Sequence, residues 1–248
     1  MKTIGLIGGL SWESTSEYYR IINEQVRSEL GGVHSAKCLL YSFDFEEIVQ
    51  LQKSGAWDLA TDKMIHAAVT LERAGADLIL ICTNTMHKMA GEVQSNLSVP
   101  LLHIVDTTAS EIKEAGLDCV GLLGTKYTMD NNFYKERFQL KHNIQVISPD
   151  EEDQEIVHDV IFNELCQGKM IPNSKERYLD VIERLREKGA QGVILGCTEI
   201  PLLIKQNDTG MKLFDTTFIH AKTAVELAMV EDNNKQKDIP VMKEIIKR

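Results

Sequence analysis

Two short polar runs in this 248-residue chain have the residue types for acid–base chemistry, Cys197-Thr198-Glu199 and Thr83-Asn84-Thr85. An ionised thiol can take a proton and return it, while hydroxyls and an amide can hold a carboxylate or donate to it. The two runs close an internal repeat. Leu71 to Thr85 aligns without gaps to Leu185 to Glu199 at a constant offset of 114 (189 minus 75). The alignment sets Cys197 opposite Thr83, and Cys82 opposite Gly196, one position earlier. For either cysteine alone, a small buried strand residue is the plainer reading. Two matched strand ends, each followed by polar side chains, point to a site instead.

The elements that must position these residues follow from the same repeat. Each copy reads as a helix end, a Gly-Ala turn and a short apolar run that empties into small polar residues, the pattern of a parallel strand leading to a loop. Such strand ends carry the ligands of open α/β sheets. Two more matches keep the order: Thr3 to Gly9 with Cys119 to Thr125 at an offset of 116, and Ile104 to Thr108 with the stretch ending at Thr217 at an offset of 109. The chain is therefore expected to be α/β, with two pseudo-symmetric lobes, each a mainly parallel sheet flanked by helices. The first lobe is 1–107 plus 217–248 and the second 108–216, with Thr83 and Cys197 facing each other across the cleft between them.

In chain order, residues 3–8 form a first buried strand, and Ser11 or Ser14 caps a helix through Tyr18 to Leu30. The turn at Gly8, Gly9 and Leu10 is neither a dinucleotide fingerprint nor a phosphate loop. Its bare backbone N–H groups at a helix start suit a small carboxylate. A second strand is expected over 36–45, then a short helix ending near Gln52 and Lys53, where Gln52 is a candidate substrate contact. Trp57 to Gly75 reads as an amphipathic helix with Leu59, Met64, Ala67, Ala68 and Leu71 on its apolar side. Val99 to Thr108 reads as a strand and loop. The second half starts near Ile112, with Thr125 mirroring Gly9, a helix from Asp150 to Gly168, and a helix from Lys175 to Lys188. A last helix runs over 217–230, and from Glu231 the chain is a charged surface helix or loose tail.

Composition narrows the function. A formal net charge of −10 gives no basic surface for nucleic acid, so small ligands are the expected partners. No apolar run reaches membrane-spanning length, and the amino-terminal stretch, broken by glycines, does not resemble an export signal. Five cysteines without Cys-x-x-Cys spacing fit a reduced, cytoplasmic protein. Seven dispersed histidines form no ligand pattern beside them, so no metal is expected, and His66, His142 and His158 read as solvated.

Taken together, Gly8-Gly-Leu-Ser-Trp-Glu-Ser-Thr15, Cys82-Thr-Asn-Thr-Met-His87, Gly124-Thr-Lys-Tyr-Thr-Met129 and Gly196-Cys-Thr-Glu-Ile200 resemble the aspartate/glutamate racemase family, in its broad-specificity amino-acid racemase branch. The resemblance spans residues 1 to about 230. It implies a two-lobed enzyme, usually a homodimer, that needs neither pyridoxal phosphate nor metal and exchanges the α-proton of an amino acid between two cysteines, one per lobe. This sequence departs from the pattern twice. Thr83 stands where the family has its first cysteine, leaving Cys197 as the match to a catalytic cysteine. Cys166 stands where many members have a lysine that holds the distal carboxylate.

The expected chemistry is removal of a Cα proton by the Cys197 thiolate, with Thr83 donating a proton or positioning a water. Asn84, Thr85, Thr125, Thr198, Glu199, Gln52 and the Gly9-Leu10 amides would hold the substrate. Aspartate and glutamate are the leading substrates, with faster handling of the L-enantiomer. Racemisation of neutral amino acids, decarboxylation of malonates by a single-cysteine relative, and non-catalytic amino-acid binding are the alternatives. The polar pairs Asn84-Thr85 and Thr198-Glu199 favour amino acids over arylmalonates.

Overall fold

A computed structural model describes residues 1–230; the expected tail from Glu231 lies outside the described residues. In order, the elements are β1 (Ile4–Gly8), α1 (Trp12–Leu30), β2 (Cys38–Ser42), α2 (Phe45–Ser54), α3 (Trp57–Arg73), β3 (Leu78–Ile81), α4 (Ala90–Ser95), β4 (Leu101–Leu102) and α5 (Ile104–Glu114). They continue as β5 (Cys119–Leu123), α6 (Lys126–Asp130), α7 (Asn132–His142), β6 (Gln145–Ile147), α8 (Glu151–Asn163), α9 (Pro172–Glu187), β7 (Gly192–Leu195), α10 (Ile200–Leu203), β8 (Lys212–Asp215) and α11 (Thr216–Met229).

The strands make two four-stranded parallel sheets, β2-β1-β3-β4 and β6-β5-β7-β8, with the same order. All four residues of β3 and of β7 are buried, because helices cover both faces of a parallel sheet and leave no polar face to alternate with. The chain divides into two compact units, Met1–Thr107 with the chain from His220 on, and Thr108–Ile219. The boundaries fall inside α5 and α11.

The repeat is copied in backbone detail. After α3, Gly75 takes φ +100° and Ala76 N–H donates to Leu71 C=O at 3.0 Å; after α9, Gly189 takes φ +99° and Ala190 N–H donates to Leu185 C=O at 3.0 Å. Both helices therefore end in the left-handed stop that glycine permits, and each chain then turns straight into its central strand.

Several expected boundaries shift for local reasons. β2 stops at Ser42 because Asp44 leaves the strand to cap α2, its carboxylate accepting from Glu46 N–H at 3.1 Å. Strand β4 is only two residues long, since α5 begins at Ile104 in place of the expected loop. The Asp150-to-Gly168 helix ends at Asn163. Glu164 leaves helical geometry (φ −125°, ψ −68°), and a 3₁₀ turn over Leu165–Gln167 leads to Gly168 at φ +71°. Leu59 faces solvent, 58% exposed, so the apolar side of α3 is carried by Ala60, Met64, Ala67, Ala68 and Leu71. Of the three histidines read as solvated, His142 is buried; His66 is exposed, and half-buried His158 accepts the Lys126 N–H on its Nδ1 at 3.2 Å.

In the first unit a fully buried His220 joins three elements. Its Nε2 meets Leu102 C=O at 2.9 Å and its Nδ1 meets the Tyr18 hydroxyl at 2.8 Å. Burial first, and His87 second, lower its pKa from 6.5 to about 3. Folded His220 thus stays neutral where the unfolded chain takes up a proton. The stability it supports is complete above pH 6.5 and lost as pH falls from there toward about 3. Replacing His220 with Gln should flatten the pH dependence of urea unfolding in that window.

Gly9 at the β1–α1 turn has φ +70°, and a Cβ on it would lie 2.2 Å from the Phe43 carbonyl oxygen. Gly55, with φ +71°, has open space around it. Gly55→Ala should lower unfolding free energy by about 1–2 kcal/mol, the cost of left-handed backbone alone. Gly9→Ala should cost clearly more, because backbone must move; equal urea midpoints for the two variants would refute that account.

Candidate active site

The first unit's polar segment starts where the β1–β3 ladder ends. Cys82 N–H donates to Ile7 C=O at 2.9 Å, which turns the Cys82 side chain into the core with Tyr18, Leu80 and Leu102. Burial pushes this thiol well up, so Cys82 is a core residue and not a proton carrier. Thr83 follows, half-buried, and its carbonyl meets His87 Nδ1 at 2.7 Å. Asn84 is buried; half-buried Thr85 opens a 3₁₀ turn over Thr85–Met89, and Asn84 C=O accepts the His87 N–H at 3.2 Å. Gln52, from the last turn of α2, reaches this segment by donating to Met86 Sδ at 3.2 Å. Neighbouring Lys53 is exposed.

The glycine turn before α1 differs from expectation. Gly9 N–H is taken by the Thr15 hydroxyl at 2.9 Å, and the Ser11 hydroxyl caps α1 by accepting Ser14 N–H at 3.2 Å. Both amides are spent inside the protein, one on a hydroxyl from the first turn of α1 and the other on the helix cap. The Leu10 side chain is buried with Ile7, Ile48 and Met86, which makes it core.

In the second unit the corresponding rung is Gly196 N–H to Leu123 C=O at 2.7 Å. Glycine eases the packing here, because a Cβ on Gly196 would sit 3.0 Å from the Leu123 carbonyl oxygen and one on Gly124 would sit 3.3 Å from the Gly196 carbonyl oxygen, so backbone would have to give by a few tenths of an ångström. This close approach brings the Thr125 and Cys197 segments side by side at the sheet's carboxyl end. Thr125 is the cap position of α6; its carbonyl accepts from Thr128 N–H at 2.8 Å, and the two threonine hydroxyls lie 3.3 Å apart.

Cys197 is half-buried, and its thiol donates to Glu199 Oε2 at 2.9 Å. The Thr198 hydroxyl donates to the same oxygen at 2.7 Å. Burial, then the negative charge of Glu199, push the Cys197 thiol well above its ordinary value. A thiolate beside an ionised carboxylate is therefore costly. The thiol thus keeps its proton, held in its hydrogen bond to the Glu199 carboxylate.

Sequence reasoning missed two sets of neighbours. Tyr178 of α9 donates to Val157 C=O at 2.8 Å, and burial first, then Cys197, Glu164 and Cys166, push its phenol up. Cys166 thus lies within electrostatic reach of Cys197, although it is more than thirty positions away in sequence. In the first unit His87, His103 and His220 cluster, with ring centroids of His87 4.7 Å from His103 and 5.6 Å from His220. The available signal was slight: His103 directly follows the apolar strand β4, and His87 lies in the turn after β3.

Among the described residues no group of three or more His, Cys, Asp or Glu side chains is placed to hold a metal, and no helix is long and apolar enough to cross a membrane.

Residues 7–224 match the Asp/Glu/Hydantoin racemase family. The chain belongs to this family. It is an isomerase of the racemase class. Among similar proteins, the broad-specificity amino-acid racemase RacX of Bacillus subtilis is 30% identical over 165 residues, 65% of this chain and 69% of that protein. A solved structure of an aspartate racemase homologue from Pyrococcus horikoshii has 40% identity and a TM-score of 0.85, over 93% of this chain and all (100%) of that one. The glutamate racemase of Francisella tularensis, solved with D-glutamate, shares the fold at 17% identity and a TM-score of 0.62, over 95% of this chain and 82% of that one.

The geometry around the racemase's Cys197 makes a signed prediction. Removing the Glu199 charge in Glu199→Gln takes away a cause of the raised thiol value while burial remains. Iodoacetamide should then alkylate Cys197 faster at neutral pH, as followed by mass spectrometry, while racemase turnover falls. Unchanged or slower alkylation would refute the account in which the Glu199 charge holds the proton on the thiol.

Proposed function

We propose that this racemase-family enzyme interconverts the enantiomers of an amino acid without a cofactor, with Cys197 serving one face of the α-carbon and the Thr83 segment the other. The observation that carries this reading is the inequality of the two matched strand ends: a half-buried thiol paired with Glu199 in one, a threonine after a fully buried cysteine in the other.

For an L-substrate, Glu199 accepts the Cys197 proton, the thiolate removes the α-hydrogen, and the carbanion charge is delocalised into the substrate carboxylate. Asn84, Thr85, Thr125 and Thr198 are the proposed donors to that carboxylate and to its developing charge. Thr83 then delivers a proton from the opposite face, from its hydroxyl or a water that it holds, and the proton parked on Glu199 passes through solvent to the Thr83 side, which restores the resting enzyme. In reverse, the Cys197 thiol is already protonated and acts as the acid, but the Thr83 side must act as base. A hydroxyl does so poorly, since it holds its proton far more tightly than a thiol.

Aspartate and glutamate are the proposed substrates, in line with the naming of the Pyrococcus horikoshii relative. Neutral amino acids are the second reading, favoured by Cys166, a thiol near Cys197 where a lysine would hold a distal carboxylate. A substrate panel decides: good turnover of homoserine, Met or Leu with none of Asp would favour the second. A homodimer and a cytoplasmic site are proposed on the family resemblance.

Because the two enantiomers are equal in free energy, kcat/KM must be the same in both directions, so the asymmetry belongs in exchange. In heavy water, L-substrate should acquire α-deuterium with retained configuration well before D-substrate does, measured by proton NMR. Cys197→Ala or Ser should abolish both exchange and turnover, whereas Cys38, Cys82, Cys119 and Cys166 should each be replaceable. Thr83→Cys should bring D-substrate exchange up. Equal washing-in for both enantiomers of the unmutated enzyme would end the reading.

A further inference from the structure

Two of the groups that meet His87 fix its state by their chemistry. Its Nδ1 lies 2.7 Å from Thr83 C=O, which can only accept, and its Nε2 lies 3.2 Å from the Ile104 N–H, which can only donate. The ring must therefore be neutral with its hydrogen on Nδ1; a proton on Nε2 would set two N–H groups against each other. The ring is 2% exposed. It packs against His103, whose Nδ1 accepts Val105 N–H at 3.2 Å, and edge-on against His220, which Leu102 C=O and Tyr18 hold in turn. A run of fixed imidazoles thus connects the Thr83 segment to β4, the head of α5, α11 and α1, all within the first unit.

We propose that His87 is a positioning residue for the Thr83 side of the reaction: its Nδ1–H clamps the Thr83 carbonyl, and its Nε2 anchors that clamp to the Ile104 amide. This rests on the racemase reading above. The packing space could be filled by an aromatic hydrocarbon of similar size. What phenylalanine could not supply is a donor for Thr83 C=O and an acceptor for Ile104 N–H on opposite edges of one ring, both at groups that flank the proposed site segment. Without the clamp the hydroxyl of Thr83 loses its fixed relation to the substrate, while Cys197, on the other unit's strand end, keeps its own supports in Glu199 and Gly196.

The test separates the two sides of the chemistry. In His87→Phe, L-to-D turnover should fall by about tenfold to a hundredfold, the scale of a misplaced catalytic group, while deuterium washing into L-substrate with retention stays within about threefold of the unmutated enzyme. His87→Asn, which can still offer an N–H to the Thr83 carbonyl, should recover most of the lost turnover. Long-range nitrogen-15 to proton NMR of the unmutated protein should show His87 as the Nδ1–H tautomer. Equal loss of turnover and of L-side exchange, no loss of either in folded His87→Phe, or an Nε2–H tautomer would each overturn the proposal. If His87→Phe does not fold, His87→Asn and the tautomer carry the test. Cys197→Ser run alongside keeps the failures apart: exchange that survives it sinks the racemase reading, while the tautomer still decides the clamp.

Discussion

The last rung of each central ladder governs where reactive side chains can stand. Cys82 N–H to Ile7 C=O and Gly196 N–H to Leu123 C=O close the β1–β3 and β5–β7 pairs, and the next residue is the first free of the sheet. Inside a parallel sheet covered on both faces a polar side chain has no partner and pays for desolvation. Beyond the last rung that constraint ends abruptly. Thr83 and Cys197 stand at this edge, both half-buried.

The two copies diverge at the rung itself. In the second unit the rung residue is glycine, so that the β5 and β7 exits approach each other and Thr125 comes beside the Cys197 loop. In the first unit a buried cysteine occupies it, and the site segment is held instead by histidines behind the loop. One unit carries a thiol that donates to a carboxylate; the other carries a threonine whose carbonyl meets a buried histidine. The reaction proposed for this racemase-family enzyme uses that difference.

How much was legible in the sequence depended on whether the information was local. The sheets, their parallel sense and the equivalence of Thr83 with Cys197 could be read from four-residue apolar runs and glycine stops, because these act on near neighbours along the chain. The Gly9 amide was misread because its partner, Thr15, is a hydroxyl on the following helix, and one such residue looks like any other in a helix start. Leu59 and His142 were misassigned for a related reason: which side of a helix is covered depends on what packs there. The histidine cluster and the approach of Cys166 to Cys197 were invisible, since they join positions that only the folded sheet brings together.

The matched glycine stops have a further consequence. From Gly75 to Thr83 and from Gly189 to Cys197 the chain runs the same eight residues (83 minus 75, 197 minus 189), each pinned at its start by a left-handed glycine and at its end by the final sheet rung. The segment works as a ruler. Losing or gaining one residue would swing the reactive side chain to the opposite side of the strand, so length cannot drift in either copy. Within this one chain the residue at the ruler's tip changes, threonine in one copy and cysteine in the other, while its reach stays constant.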